Sequence, residues 1–552
     1  MSDSTGQART AINRRQFLGG AAAGGAMVIA GPALTCLSGP AERPEPAQSA
    51  PFELEEATIA DLQRRMDSGA ETSRSLVEKY LARIDALDRG GPALRQILET
   101  NPDALAIADK LDAERRATGP RGPLHGIPVL LKDNIGTADR LTTTAGSLAL
   151  EGARPARDAF IAARLRDAGA VILGKTNMSE WANFRSTHSS SGWSGRGGQG
   201  LNPYALDRNT SGSSSGSAAA VAANFAVVAV GTETDGSIVS PANNNSIVGI
   251  KPTLGLVSRA GIIPIAHSQD TAGAMARTVT DAAILLGVLA GVDTADPVTK
   301  AGGGGRHDYT KHLDANGLRG ARIGVVRKGL FDRSPASDRI AEDAIAQMRR
   351  QGATIVDPAD IATMGQVDDA ELEVLLYEFK SDLTACLTGF GPSAPRSLAA
   401  LIAFNEHNRE REMPYFGQEL FLRAQKKGPL TSPAYRQALA KCRRLTRALG
   451  IDAVMAKHRL DALVAPTGSP PSLTDLANGD YGFSGTSTFP AVAGYPHVTV
   501  PAGYHFGLPV GISFFGRAFS ESVLIRLAYA FEQATRHRKP PRFLPTARLT
   551  AL

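Results

Sequence analysis

A chain of 552 residues with 43% hydrophobic and 21% charged side chains has the balance of a globular protein and the length for a large core. Its formal charge of +6 is small and scattered, and residues 1–41 hold part of it in Arg9, Arg14 and Arg15, which argues against nucleic acid as a partner. No stretch beyond the N-terminus approaches 18 consecutive apolar residues, so stable membrane insertion is not expected.

Asn13-Arg14-Arg15-Gln16-Phe17-Leu18 leads into a mildly apolar, Gly- and Ala-rich run from Gly19 to Gly31. Paired arginines ahead of such a run predict a twin-arginine export signal within 1–41, and with it a periplasmic or secreted protein that meets the twin-arginine export machinery. A short basic tail would leave the apolar run unexplained. Cys36 follows Ala33-Leu34-Thr35, a poor lipoprotein box, so lipidation is not expected. Residues 42–58 read as a linker and 59–545 as one large domain. Cys386 and Cys442 have no metal-ligand spacing and make no disulfide framework; two free thiols are the simpler reading, with one bridge between them left open.

Helical spacing begins at Ile59, Leu62 and Met66 and continues through Leu76, Tyr80, Leu81 and Ile84. Ile127 to Leu131 predicts a buried strand, with Lys132 at its end facing a cleft. Ala159 to Ala168 predicts a helix stopped by Gly169, and Val171 to Leu173 the next strand. Ser217 to Ala223 reads as a helix opening directly from a Ser/Gly loop, followed by a strand from Ala226 to Val230. This alternation predicts an α/β fold. Residues 295–320 are Gly-rich and read as a surface connection, and 335–450 as a helix-rich cover over the substrate side. Leu460 to Val464, His497 to Val500 and Val510 to Phe515 predict strands, and Ser520 to Arg536 a helix that stops before Pro540-Pro541.

Three stretches carry chemistry. Ser211-Gly212-Ser213-Ser214-Ser215-Gly216-Ser217 and Gly231-Thr232-Glu233-Thr234-Asp235-Gly236-Ser237 bracket an Ala- and Val-rich segment, and Leu130-Leu131-Lys132-Asp133-Asn134 lies upstream. Singly, each is ordinary: a flexible loop, a strand–turn connection, a surface lysine. Together they supply a nucleophilic hydroxyl at Ser237, a relaying hydroxyl at Ser213 and an amine at Lys132. A serine needs a base to remove its proton, and a lysine serves only when burial keeps it neutral. The turn ending at Ser237 lets backbone N–H groups converge on an oxyanion. The combination reads as a serine hydrolase that needs no histidine.

The chain resembles the amidase signature family, and within it the peptide amidase-like branch. The resemblance rests on Gly126 to Asp133, Gly174 to Trp181, Ser211 to Thr253, Gly255 to Arg259, Ser268 to Thr271 and Pro490 to Pro496, and spans about Leu62 to Pro541. It implies a central mixed β-sheet surrounded by α-helices, which makes 59–545 an amidase domain. It also implies a Ser–cis-Ser–Lys triad in which Ser237 forms the acyl-enzyme, Ser213 follows a cis peptide bond and Lys132 is the base. The oxyanion hole would be the backbone N–H groups of Thr234, Asp235, Gly236 and Ser237. No metal or organic cofactor is implied. Departures from the commoner pattern are Asp235 for Gly, Ser211 and Ser215 for Gly, and Val239 for Arg.

The expected activity is hydrolysis of carboxamide C–N bonds in a small-molecule or peptide amide, foremost a peptide C-terminal amide, with an aryl or fatty acylamide as the alternative. A different class of alternative is a catalytically silent binding protein, against which the intact Lys132, Ser213 and Ser237 argue. The amidotransferase component of a cytoplasmic complex fits badly with an export signal. A Ser-His-Asp enzyme with Ser214 at a nucleophile elbow and His497 or His505 as its partner lacks the apolar strand that an elbow needs, since residues 202–210 are polar.

Overall fold

Short runs of two to nine residues, most of them apolar or small and bounded by Gly, Pro and polar turns, become the strands among the described residues. The computed structural model describes residues 52–302, 308–391, 394–481 and 485–549. The export signal and the first part of the linker lie outside the described residues.

The strands are β1 (Ile97–Thr100), β2 (Pro128–Lys132), β3 (Val171–Thr176), β4 (Trp193–Ser194), β5 (Gly198–Gln199), β6 (Val228–Glu233) and β7 (Val248–Lys251). They continue with β8 (Thr271–Ala276), β9 (Arg322–Val325), β10 (Thr354–Val356), β11 (Ala462–Pro466), β12 (His497–His505) and β13 (Leu508–Phe515). Apart from the β4–β5 ribbon, they form one mixed sheet in the order β1-β3-β2-β6-β8-β7-β12-β13-β11-β9-β10. β2 lies between β3 and β6 and is parallel to both. All five of its residues are buried, as expected for a strand covered on both faces. Because β2 and β6 are parallel neighbours, Lys132 and Glu233 end at the same edge of the sheet, where α/β proteins build their sites.

The predicted helices stand close to where their periodicity put them. Ile59–Asp67 opens on a capping box between Thr58 and Asp61 and buries Ile59, Leu62 and Met66. Glu521–Thr535 buries Leu524, Leu527 and Phe531. The helix Ser215–Ala222 is buried on every side. Its small residues permit that, and Gly216 is required: a Cβ there would stand 2.3 Å from the carbonyl oxygen of Asn177. No helix among the described residues is long and apolar enough to cross a membrane. Cys386 and Cys442 are free thiols.

Two expectations need correction. Residues 52–58 are not linker: Leu54 and Ala57 are buried, and Glu56 accepts two hydrogen bonds of 2.7 Å from Arg538. The region 335–450 is not all cover. Pro335–Arg350 turns Ile340, Ala344, Ile345 and Met348 inward and packs on β11, β12 and β13, and β10 then joins the sheet edge. This stretch is one more helix–strand unit, which its charged outer face disguised. The cover proper begins with Asp368–Leu387 and includes Leu398–His407, Glu419–Gln425 and Pro433–Arg443.

That cover has its own core, with Leu376, Phe379, Leu383, Leu401 and Phe421 packed around Trp181. A buried ion group fastens it to the body. Arg185 lies 2.7 Å from Glu180, stacks over Phe416 and Trp193, and donates to the Glu412 carbonyl. The Glu412 carboxylate accepts from the Leu148 N–H at 2.7 Å and from Ser147 Oγ at 3.1 Å. All three side chains are fully buried, and burial, reinforced by the neighbouring Glu412, pushes the Glu180 carboxyl well up in spite of the guanidinium.

Candidate active site

β2 delivers Lys132 to the sheet edge with no exposed surface. Its Nζ lies 2.7 Å from Ser213 Oγ, 2.9 Å from Thr232 Oγ1 and 3.1 Å from the Thr232 carbonyl oxygen. Burial lowers its pKa from 10.5 to about 7, against the charges of Asp270 and Glu233, which pull it up. A neutral amine has two N–H groups and one lone pair. Thr232 offers acceptors for both N–H groups, and the lone pair is left for the Ser213 hydroxyl. Sequence reasoning did not single out Thr232, although it stands inside the second serine stretch.

The serine-rich loop is ordered by its own hydroxyls. Ser214 Oγ donates to the Thr232 carbonyl at 3.0 Å and accepts the Thr232 N–H at 3.2 Å. Ser217 Oγ donates to the Val230 carbonyl at 3.1 Å. The Ser213 carbonyl accepts from the Ser179 N–H at 3.1 Å, and the Gly212–Ser213 peptide bond is cis. The Ser214 N–H donates to the Ser237 carbonyl at 3.1 Å, which ties the two serine stretches together beside Lys132. Lys132 and Ser213 therefore meet directly, and Ser237 joins them through the backbone of the next residue.

The turn 234–237 is held from outside by side chains. Glu233 Oε2 accepts the N–H groups of Ile238 at 2.7 Å and Val239 at 3.1 Å, so the residue before the turn clamps the two after it. Thr234 Oγ1 donates to Asp270 at 2.5 Å, and Asp270 also accepts the N–H groups of Ile265 and Ala266. Gln269 donates to the Thr234 carbonyl at 3.2 Å, and Thr488 Oγ1 to Asp235 at 2.8 Å. Gly236 takes φ +77°, the left-handed region that other residues enter only with strain. Among the described residues no acceptor is bonded to the N–H groups of Thr234, Asp235, Gly236 or Ser237. Donors left unpaired in so dry a turn are what an oxyanion would use.

A cavity of about 480 Å³ adjoins this edge. Met178, Trp181, Ile263 and Ile265 give it an apolar wall, and Thr232 and Thr234 line it as well. The cover helix Asp368–Leu387 contributes Asp382, Ala385 and Cys386. Charged pairs rim it: Arg259 with Asp296 at 2.8 Å, and His267 Nδ1 with Asp382 at 2.8 Å. Met178 and Trp181 were in plain view within Gly174 to Trp181, but nothing in one sequence marks a buried aromatic as cavity wall rather than core.

Among the described residues, His267, Glu378 and Asp382 bring potential metal ligands within 4.8 Å of one another. Their carboxylates are already engaged, Glu378 by Tyr435 Oη and the Ser268 N–H, and Asp382 by His267. They serve as an ion-paired contact between loop and cover.

The histidine-dependent alternative is not built. Ser214 Oγ is spent on Thr232. His497 is fully buried, with Nε2 2.6 Å from Ser513 Oγ, and burial pushes its pKa down to about 3. His505 is paired with Arg339.

The amidase family model matches residues 75–525. The native peptide amidase of Stenotrophomonas maltophilia, solved as a crystal structure, is 53% identical, with a TM-score of 0.85 over 89% of this chain and all of that one. An amidase family protein from Bacillus anthracis, also a crystal structure, is 39% identical, with a TM-score of 0.80 over 89% of this chain and 94% of that one. A probable amidase of Arabidopsis thaliana is 45% identical over 90% of this chain and 93% of its own length.

Proposed function

The chain belongs to the amidase family and is a hydrolase acting on amides, and from that premise we propose that it is a serine amidase using Ser237, Ser213 and Lys132 on peptide C-terminal amides. The observation that carries the mechanism is the 2.7 Å approach of a fully buried Lys132 Nζ to Ser213 Oγ, beside a turn of unpaired N–H groups. In this reading Ser237 Oγ attacks the amide carbon while its proton passes through Ser213 to Lys132. The tetrahedral oxyanion is met by the N–H groups of residues 234–237. Collapse breaks the C–N bond as the relay returns a proton to the leaving nitrogen, which departs as ammonia or an amine. Water then attacks the acyl-enzyme by the same relay and frees the acid.

The substrate class is supported by the similarity to a peptide amidase and by the cavity. Its volume suits a short peptidyl acyl group, its wall suits apolar side chains, and its rim offers charged partners for polar backbone. The same charged rim disfavours the long apolar chain of a fatty acylamide. The test is ammonia or amine release from matched peptide amides, anilides and fatty acylamides. Peptide amides should lead in kcat/KM by at least about tenfold, roughly 1.4 kcal/mol of transition-state preference; a lead by either other class would reverse the substrate assignment.

We further propose export by the twin-arginine route to the periplasm or beyond, on the strength of Arg14-Arg15 before the Gly- and Ala-rich run. Replacing both arginines with lysine should strand full-length protein in the cytoplasm in a fractionation blot; undiminished export would refute the route.

A further inference from the structure

A second opening is lined by close chain neighbours of the reactive serines. It is a cleft of about 160 Å³ lined among others by Asn209, Ser211, Ser240, Asn243, Asp480 and Tyr481. Ser211 stands two residues before Ser213, and Ser240 three after Ser237. Their hydroxyls are 2.8 Å apart, and the Ser240 N–H donates to the Gly236 carbonyl at 2.8 Å. In the chain, Ser237 therefore sits between Thr234, which faces the apolar cavity, and Ser240, which faces this cleft.

The two openings differ in chemistry. The first is walled by Met, Trp and Ile, and its acids are either paired with a base, Asp296 with Arg259 and Asp382 with His267, or engaged by hydrogen bonds, Glu233 and Asp270. The second is lined mainly by Ser and Asn with Asp480 and Tyr481, and among the described residues its lining holds one carboxylate and no lysine, arginine or histidine. Asp480 Oδ1 accepts from Asn209 Nδ2 and from the Ser191 N–H, both at 2.9 Å, which fixes the carboxylate at the cleft. An amide has two halves that part at the carbonyl carbon. With the carbonyl oxygen on the N–H groups of 234–237, the halves diverge on either side of Ser237 Oγ. The acyl half becomes a carboxylate, which a lone acid repels; the nitrogen half becomes a hydrated amine, which an acid and hydroxyls suit.

We propose that the polar cleft floored by Ser211 and Ser240 is the amine-side subsite, and that it takes small hydrophilic amines. This rests on the reading that Ser237 forms an acyl-enzyme. Amide cleavage forms the Ser237 Oγ–C bond, breaks C–N and sends the amine out through the cleft with the relayed proton. The reverse step follows: an amine held in the cleft attacks the acyl-enzyme, the N–C bond forms, C–Oγ breaks, and the proton from nitrogen returns to Ser237. The acyl-enzyme should therefore partition between water and amines according to what the cleft admits.

The test uses the full chain and an activated ester of a short N-protected peptide, with glycinamide, tyrosinamide or n-hexylamine as acceptor at equal free-base concentration. The readout is the ratio of amide to acid product, which is independent of the absolute rate. Glycinamide is expected to outcompete n-hexylamine at least fivefold. Ser240→Leu, which fills the floor, should lower the glycinamide ratio about tenfold, with fluorophosphonate labelling used to select protein whose site is intact. Tyr481→Ala, at an exposed rim position, should raise tyrosinamide capture relative to glycinamide about threefold. Ratios unmoved in both variants, or a wild-type preference for n-hexylamine, would overturn the subsite while leaving the acyl-enzyme in place. Failure of the wild type to label, or ester turnover undiminished by Ser237→Ala, would overturn the acyl-enzyme reading and the subsite with it.

Discussion

Ser237→Ala should reduce amide turnover by on the order of 10⁴ or more, the size of loss that removing a triad nucleophile produces elsewhere. The reasoning is geometric. Lys132 and Ser213 are already bonded, and neither hydroxyl of Ser213 or Ser214 is free to replace the missing one: Ser213 Oγ faces the amine, and Ser214 Oγ is occupied on both sides by Thr232. The fold should be untouched, because the backbone carbonyl of residue 237, not its side chain, receives the Ser214 N–H. Ammonia release from a peptide amide and labelling by a fluorophosphonate should vanish together, while the melting temperature stays within a few degrees of wild type. Labelling that persists in the variant would move the nucleophile to another serine. Lost turnover with a collapsed melting curve would speak only of folding, and the carbonyl bond that spares the backbone makes that outcome unexpected.

Much of this arrangement was legible in the sequence, and for identifiable reasons. The Ile127–Leu131 run could only bury itself, and burying it put Lys132 at the sheet edge. The helix from Ser215 followed from a run of small residues after glycine. What the sequence hid was of two kinds. β7 and β9 span four residues each and carry a charged residue, and β8 is built of Thr, Ala, Gly and one Met, so no run of large apolar residues announced them. Pro335–Arg350 looked like cover because its exposed face is charged, whereas its buried stripe of Ile340, Ala344, Ile345 and Met348 belongs to the sheet. In the site, the three chemistry-bearing residues stood out by type. Their supports did not. Glu233 clamps Ile238 and Val239, and Asp270 ties Thr234 to residues 265 and 266, through contacts that depend on where strands end in space. The cleft at Ser211 and Ser240 was equally silent, because Asp480 and Tyr481 reach it from about 240 residues away.

Lys132 supports the second large effect, and one that separates catalysis from stability. Only the neutral amine can accept the relayed proton, and burial brings its pKa to about 7. The kcat/KM for a peptide amide should therefore fall about tenfold per pH unit below that point and level off above it. Lys132→Met should remove the acid limb along with roughly 10³-fold or more of the activity. A profile flat to about pH 5 would refute the neutral-amine base. For stability the same residue is a cost, and its pH window lies above rather than below 7. In the unfolded chain Lys132 titrates near 10.5, and in the fold near 7, so between those values the unfolded chain holds the extra proton. Rising pH through that window favours the fold, and below about 7 the penalty of burying the amine is complete. At its full extent a displacement of that size corresponds to roughly 5 kcal/mol. Lys132→Met abolishes it and forfeits hydrogen bonds to Thr232, about 1 kcal/mol each. The variant should thus be nearly inactive yet melt several degrees higher than wild type at pH 7, with the difference shrinking toward pH 10. A variant less stable than wild type at pH 7 would mean that the amine is charged in the fold and held by its partners. The Ser213 hydroxyl would then have no lone pair to donate to, and the base would have to be sought elsewhere in the site.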